Sequence, residues 1–452
     1  MSYLRFEKSL MTNLEESLPK ELLRTNRSGA YSCSTIVDCN TRRYHGLLVV
    51  PVPELDDESH VLLSSLDVTV IQHGAEFNLG LHKYQGNNYS PNGHKYIREF
   101  NCDKVPTTLY RVGGVLLKKE VVFQHYEDRI LIRYTLVDAH SATTLRFRPF
   151  LAFRSVRQFT HENSTANRDY SLVDNGIKTC MYAGYPDLYM QFSKKNEFVF
   201  QPDWYRGIEY PKEQERGYAS NEDLYVPGYF EMNIRKGESI VFSGSTSEIK
   251  TSTLKNLFDK EVEERSPRDN FFHCLVNAAH QFHIRKKNDD RYLLAGYPWF
   301  KCRARDMFIS LPGLTLSIDE QDYFELVMKT AERGLREFIE KETAFCDKAL
   351  RYLYSLAEKH YETAENVEIT SVFVSCSSMD HSSSYSYTLE NDENTWYFSF
   401  DAVIDSSGAH TQVERQKINE NDAEEILRII KNQQLVTIVR QYEEPDDDGL
   451  IA

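Results

Sequence analysis

"RILIRYTLV", Arg129 to Val137, puts Ile130, Ile132, Tyr134 and Leu136 on one face of an extended chain. Period-two alternation of this kind marks a half-buried β-strand. "TLRFRPFLAF", Thr144 to Phe153, repeats it, with Leu145, Phe147 and Leu151 on one side and Arg146 and Arg148 on the other. Similar short runs fill the chain from about Val61 to Val241, separated by "GG", "DNG", "PNG" and "RKGES" turn sequences, and long helical patterns are missing between them. Many short strands divided by glycine turns predict an antiparallel β-sandwich.

The pattern switches near Glu261. "SPRDNFFHCLVNAAHQFHIRK" predicts a helix with Ser266 as N-cap and Pro267 at its first position, and with Phe272, Leu275, Val276, Ala279 and Phe282 on one stripe. "SIDEQDYFELVMKTAERGLREFIEK" predicts a second, with Ser317 and Glu320 as a capping box and Phe324, Val327, Met328, Ala331, Leu335 and Phe338 as its apolar face. From Lys341 the character changes again. The tail reads as a helix through "FCDKALRYLYSLAEKHYE", strands in "VEITSVFVSC" and "NTWYFSFDAV" around the serine-rich "CSSMDHSSSYSY", a last helix capped by Asn421 and Glu424, and an acidic end, "EEPDDDGLIA". Three segments follow: 1–260, 261–340 and 341–452.

Composition narrows the function. At 452 residues the chain exceeds the roughly 100–200 residues of one domain. Its 28 Tyr and 25 Phe suit polar, ring-shaped ligands and lean toward carbohydrate. The formal charge of −15 is uneven: residues 341–452 carry 22 acidic and 9 basic side chains, which leaves the first 340 residues near neutral. Two unlike segments are joined, and nucleic acid is not expected as a partner. No apolar run approaches a membrane span and the start, "MSYLRFEKSL", has no continuous apolar core, so the chain is expected to be cytoplasmic. Eight cysteines are scattered without a CxxC pair, which argues against a metal site, and no Walker, GxGxxG, HExxH or GxSxG motif calls for a cofactor.

Three stretches together carry a resemblance. "TNRSGAYSCSTIVDCNTRRYHGLLV" (Thr25 to Val49), "LRFRPFLAFRSVRQFTHEN" (Leu145 to Asn163) and "AGYPWFKCRARDMFISLPGL" (Ala295 to Leu314) resemble, in order and spacing, the bacterial and archaeal type of glycogen debranching enzyme over residues 1 to about 340. The resemblance implies a multi-domain chain, β then α: a supersandwich-like β-sandwich followed by the first helices of an incomplete (α/α)6 six-hairpin glucosidase barrel; the acidic α+β tail behind them is of unknown relation. It implies hydrolysis of α-1,6-glucosidic branch linkages, with glycogen or maltooligosaccharide as partner.

By the same resemblance Arg305 and Asp306 hold a terminal glucose, Trp299 and Tyr297 offer flat faces to a sugar ring, and Arg303 lies beside a hydroxyl. Arg303 and Ala304 stand where family members often have tryptophan and glycine. Neighbouring residues on a helix do not face each other, so Arg305 and Asp306 are expected to take outside partners. The donors Asn40, Arg42, Arg43, Tyr44 and His45 of "NTRRYHG" either touch glucan or pin a domain seam by hydrogen bonds, and His161 and Glu162 lean toward an interface role. Glycoside hydrolysis needs two carboxyl groups. The resemblance puts the acid in a "TWMD"-like segment further along a barrel, and nothing after Lys341 supplies it: "NTWYFSF", residues 394–400, has no acidic residue directly after Trp396. The catalytic pair is therefore unassigned, and the chain is expected to be inactive alone. A non-catalytic glucan-binding protein and a chimeric or truncated gene product are the alternatives.

Overall fold

A computed structural model describes residues 2–334 apart from 57, 87 and 287, residues 336–337, and four strands with their ends between residues 372 and 419. The chain divides into two compact units, Met1–Val327 and Met328–Ala452. Antiparallel sheets dominate the first. One has nine strands in the spatial order Arg5–Glu7, Ile97–Cys102, Pro106–Val112, Val115–Phe123, Arg129–Asp138, Ser239–Ser245, Leu188–Phe192, Gly176–Thr179 and Tyr170–Val173. The other has ten: Glu21–Thr25, Tyr31–Thr35, Gly46–Pro51, Ser59–Gln72, Thr143–Ser155, Asn221–Ile234, Glu197–Glu209, His82–Tyr84 and Asn88–Ser90, with Ala75–Asn78 paired to Ser59–Gln72.

The main core lies between these sheets, and the alternation in the sequence explains it. Ile130, Ile132, Tyr134 and Leu136 point inward from one sheet and meet Leu145, Phe147 and Leu151 from the other, all buried. Each such side chain contributes about 1.5–3 kcal/mol by leaving water. Arg146, on the opposite face, pairs across the ladder with Glu231 at 2.9 Å and reaches Glu76 at 2.8 Å. The register shifts on both sides of Leu151, where Phe153 has a φ of 47°. Phe150 and Ala152 then face outward, into a second buried cluster with Tyr31, Tyr44, Tyr210 and Tyr297. The sheet is thus buried on both faces at this end, which is why "PFLAF" is continuously apolar.

Gly46 is required where it stands: a Cβ there would come within 2.8 Å of Val49 and Val61. Just after it the strand's alternation is broken. Val49 faces the outer cluster and Leu48 and Val50 the main core, but Leu47 packs against the main core too, because the register shifts between Leu48 and Val49.

The helices depart from expectation at their starts. Leu254–Glu263 is a helix that the strand-rich reading missed; it packs Leu254 and Phe258 against Val105, Val122, Leu131 and Val241 of the nine-stranded sheet. Ser266 and Pro267 do not start the next helix. It runs Phe271–Gln281, capped by Asn270, whose side chain accepts from the His273 N–H. Of its expected stripe only Ala279 is buried, while Phe272 and Leu275 are 53% and 49% exposed. Ser317 is no N-cap either. It lies in a 3-10 turn, Leu316–Ile318, Asp319 follows in the left-handed region, and the helix begins at residue 321.

In the second unit Val372–Ser378, His381–Asp392, Thr395–Ile404 and Ala409–Ile418 form a four-stranded antiparallel sheet. Two of these strands overlap those expected in the tail, and the serine-rich segment is itself largely a strand. The helices expected at residues 345–362 and 421–439 and the acidic end lie outside the described residues.

Candidate functional site

The "NTRRYHG" donors turn inward. Asn40 donates to the carbonyl and hydroxyl of Ser64, both at 3.1 Å, and accepts from Ser34 at 2.7 Å. Arg42 donates to Glu21 at 2.8 Å. His45 is fully buried: its Nδ1 accepts from the Thr41 N–H at 3.1 Å, and burial lowers its pKa. Glu21 is held at a pKa of about 2: burial would raise it, but His45 and Arg42 outweigh that. Arg43 donates from its backbone to the buried Glu213 and from Nη2 to the Tyr44 hydroxyl at 3.0 Å. Most of these contacts stay within the sheet and form a frame.

That frame supports an open cleft of about 660 Å³ on the ten-stranded sheet, walled by Asp56, His60, Arg154, Arg157, Tyr182 and Tyr185 among others. Arg154 forms its floor as a buried fork: Glu222 takes its Nε and, at 3.1 Å, its Nη2, Tyr210 adds a hydroxyl to the same carboxylate, and Nη1 donates to the Arg43 carbonyl at 2.9 Å. Along one wall runs a relay in which His60 joins the Tyr185 hydroxyl and the Asp56 carboxylate, each at 2.9 Å. Partial burial alone would raise the Asp56 pKa; the hydrogen bonds from His60 and the Glu58 N–H bring it below the usual carboxylate value. Burial pushes the Tyr185 hydroxyl up to about 12. His161, 62% exposed, stands at the rim near Asp223, and Glu162 accepts from Arg206.

Arg157 links the cleft to the third motif. Its guanidinium lies 3.4 Å from Glu58, donates to the Tyr44 hydroxyl at 3.4 Å and reaches the Trp299 carbonyl at 3.5 Å. Trp299 is 39% exposed. Tyr297 departs from its expected role: it is 6% exposed, set edge-on to Tyr31, and an enclosed ring has no face for a sugar. Arg303 caps the approach by lying over the Phe300 ring at 4.3 Å. Arg305 and Asp306 occupy the first turn of the helix Ala304–Leu314, Arg305 exposed and Asp306 half-buried. Neither side chain has a hydrogen-bond or ion-pair partner among the described residues.

The structure therefore brings Arg43, Tyr44, Arg157 and Trp299 into one chain of contacts and leaves Arg305 and Asp306 open. Sequence reading missed Asp56, His60, Tyr182 and Tyr185. Arg154, Arg157 and Phe159 were within "LRFRPFLAFRSVRQFTHEN", whose density of arginine and aromatic residues was the available signal. Among the described residues His125, Glu261 and Glu264 gather at metal-ligand spacing, but Arg265 sits among them, 3.0 Å from His125 and 2.9 Å from Glu261, so the cluster already holds a cation.

Residues 20–241 match the family model of the glycogen debranching enzyme N terminal, and residues 277–370 match that of amylo-alpha-1,6-glucosidase, which runs past Glu340. No curated protein matches the chain. Among solved structures, a bacterial glucoamylase complexed with acarbose is similar at 7% identity and a TM-score of 0.29, over 58% of this chain and 37% of that one. A polysaccharide lyase is similar at 12% identity and a TM-score of 0.21, over 50% and 31%. The chain spans about a third of the length of these structures. With both family models matched in sequence order over most of its first 370 residues, the chain is of the glycogen debranching enzyme type.

Proposed function

We propose that this chain binds α-glucan through Arg305, Asp306 and Trp299 and, as it stands, does not hydrolyse it. The observation that carries this reading is the pair of adjacent charged groups at the start of Ala304–Leu314, without a side-chain partner among the described residues, in the same loop-to-helix stretch as the partly exposed Trp299. An arginine fork and a carboxylate take sugar hydroxyls as donor and acceptor, and an indole covers the apolar side of a pyranose. The neighbouring cleft, with its tyrosines and arginines, extends the polar surface along which a longer glucan runs.

Hydrolysis in this enzyme type needs an acid and a second carboxyl group on either side of the glucosidic bond. The residues matched here supply contacts to the substrate and lack the motif for that pair. Two further features support an incomplete (α/α)6 barrel. Phe271, Phe272 and Leu275 on one helix and Phe308 and Ile309 on another are 43–70% exposed, as on helices whose apolar faces await other helices. Residues 321–334 then add one more helix.

Isothermal titration of the purified chain with maltotetraose, beside an assay for glucose released from a branched dextrin, tests this. Binding without glucose is expected. Glucose release abolished by Asp306→Ala would overturn the inactive reading; no binding would overturn the glucan site.

A further inference from the structure

Between the two sheets, away from the cleft, lies a second cavity of about 70 Å³ whose wall is unusually polar for a sandwich interior. At roughly 10–15 Å³ per water it holds several waters or one small solute. Arg24 lines it from the strand Glu21–Thr25, and Ser32, its register partner on Tyr31–Thr35, lies beside it. Thr108 faces them from the opposite sheet.

The wall holds two cations, Arg24 and Lys119, and two carboxylates, Asp38 and Asp67, yet Arg24 pairs with neither carboxylate. Arg24 makes no ion pair or side-chain hydrogen bond among the described residues, and its Nε is buried without a partner. The two carboxylates in the wall are committed elsewhere. Asp38, 44% exposed at the opening, takes Lys119 at 2.7 Å and the Tyr110 hydroxyl at 3.4 Å, and Asp67 is held by His82 at 3.0 Å. Ser32 and Thr108 are 4% and 6% exposed, and neither hydroxyl has a partner among the described residues. Arg268 adds a second positive charge near Arg24. Burying the Arg24 Nε without a partner costs free energy that an anion in the cavity would offset.

We propose that this inter-sheet cavity binds a small tetrahedral oxyanion of the phosphate class, with Arg24 as its charge partner and Ser32 and Thr108 as hydroxyl donors. A guanidinium fork and two hydroxyls match the acceptor-only surface of such an anion. Free phosphate and the phosphoryl group of a small ester share this chemistry, and two probes separate them. This site is independent of the glucan reading.

The test is thermal unfolding of the full chain in phosphate-free buffer, titrated with inorganic phosphate and, separately, methyl phosphate. Ligand that binds only the folded state raises Tm with saturation. The wild type should show a saturable rise of several degrees; a response to both probes marks a pocket open to phosphate esters, and a response to phosphate alone marks one closed to them. Arg24→Met should abolish the response while leaving the phosphate-free Tm equal or higher, because it removes a guanidinium whose buried Nε has no partner among the described residues. Thr108→Val keeps Arg24 and should weaken phosphate binding roughly 3- to 10-fold, so the test survives if Arg24→Met does not fold. Absence of a response to either probe, or a response that persists in Arg24→Met, would overturn the site.

Discussion

Two stretches rich in arginine and aromatic residues behave in opposite ways. "NTRRYHG", residues 40–46, has most of its polar side chains engaged from within, Asn40 by Ser34 and Ser64, Arg42 by Glu21 and Arg43 by Glu213 and Tyr44, while the Thr41 hydroxyl, Arg43 Nε and His45 Nε2 are buried without a hydrogen-bond partner among the described residues. "GYPWFKCRARD", residues 296–306, ends in Arg305 and Asp306, whose side chains have no partner among the described residues, and shows an indole to solvent. Composition alone makes them equivalent candidates for sugar binding. What separates them is whether folding has already satisfied the side chains: a saturated group holds the frame, and an unsatisfied one is available.

The sharpest way to break the comparison is at the frame's deepest ion pair. Arg154 and Glu222 are 3% and 0% exposed, so removing one charge strands the other in a dry environment. Glu222→Gln is expected to cost about 3–5 kcal/mol in urea unfolding. A loss below about 1 kcal/mol would mean that the floor of the cleft is wetter than its burial indicates.

Next in size is a pH effect at Glu21, whose side chain is 24% exposed. Its pKa falls from 4.5 unfolded to about 2 folded. A lowered carboxylate contributes stability that is fully present above the unfolded value and is lost as pH falls toward the folded one. The urea midpoint of the wild type should therefore exceed that of Glu21→Gln by the equivalent of about 2–3 kcal/mol at pH 6, with the gap closing between pH 4.5 and 2. A gap that stays constant through that window would show that Glu21 acts through packing.

Asn40→Ala sharpens the same contrast at a single frame residue. It removes three hydrogen bonds and leaves Ser64 short of a donor, at a cost of about 1–3 kcal/mol. Maltotetraose affinity should stay within about twofold, since the lost bonds are worth stability alone. A large fall in affinity with Tm intact would move Asn40 from the frame to the site.

How much of this was legible in the sequence depends on how local the determining physics is. The strands Arg129–Asp138 and Thr143–Ser155 were readable because alternation is imposed on each segment by the sheet it joins. Helix starts were not, since Ser266–Pro267 and Ser317–Glu320 are local capping signals that lost to the chain's path: Asn270 takes the cap of one helix, and the left-handed Asp319 delays the other. The Asp56–His60–Tyr185 relay was invisible for another reason. Tyr185 lies 125 residues from His60, and only the sandwich brings them to 2.9 Å. Tyr297 and Trp299 stand two residues apart in one motif, yet one is enclosed and the other open, a difference set by the tyrosine cluster beneath them.

The open stretch should respond in the reverse manner to the frame. Asp306→Ala is expected to lower maltotetraose affinity at least tenfold, about 1.4 kcal/mol, while costing stability only the few tenths to 1 kcal/mol that an acidic group contributes to a helix's first turn. Equal losses in both would return Asp306 to the frame.

Trp299→Ala is the finest probe, with an expected three- to fivefold loss of affinity, about 0.7–1 kcal/mol. Part of that ring is already packed, so only its exposed portion, 39% of the residue, is free to cover a sugar. The carbonyl that Arg157 reaches belongs to the backbone and survives the substitution, so the link between cleft and loop stays in place. Any loss of affinity therefore reports the ring itself. Trp299→Phe, which keeps a flat face, should recover about half of the loss; recovery by Trp299→Leu to the same degree would mean that apolar bulk suffices and that the indole stacks on nothing.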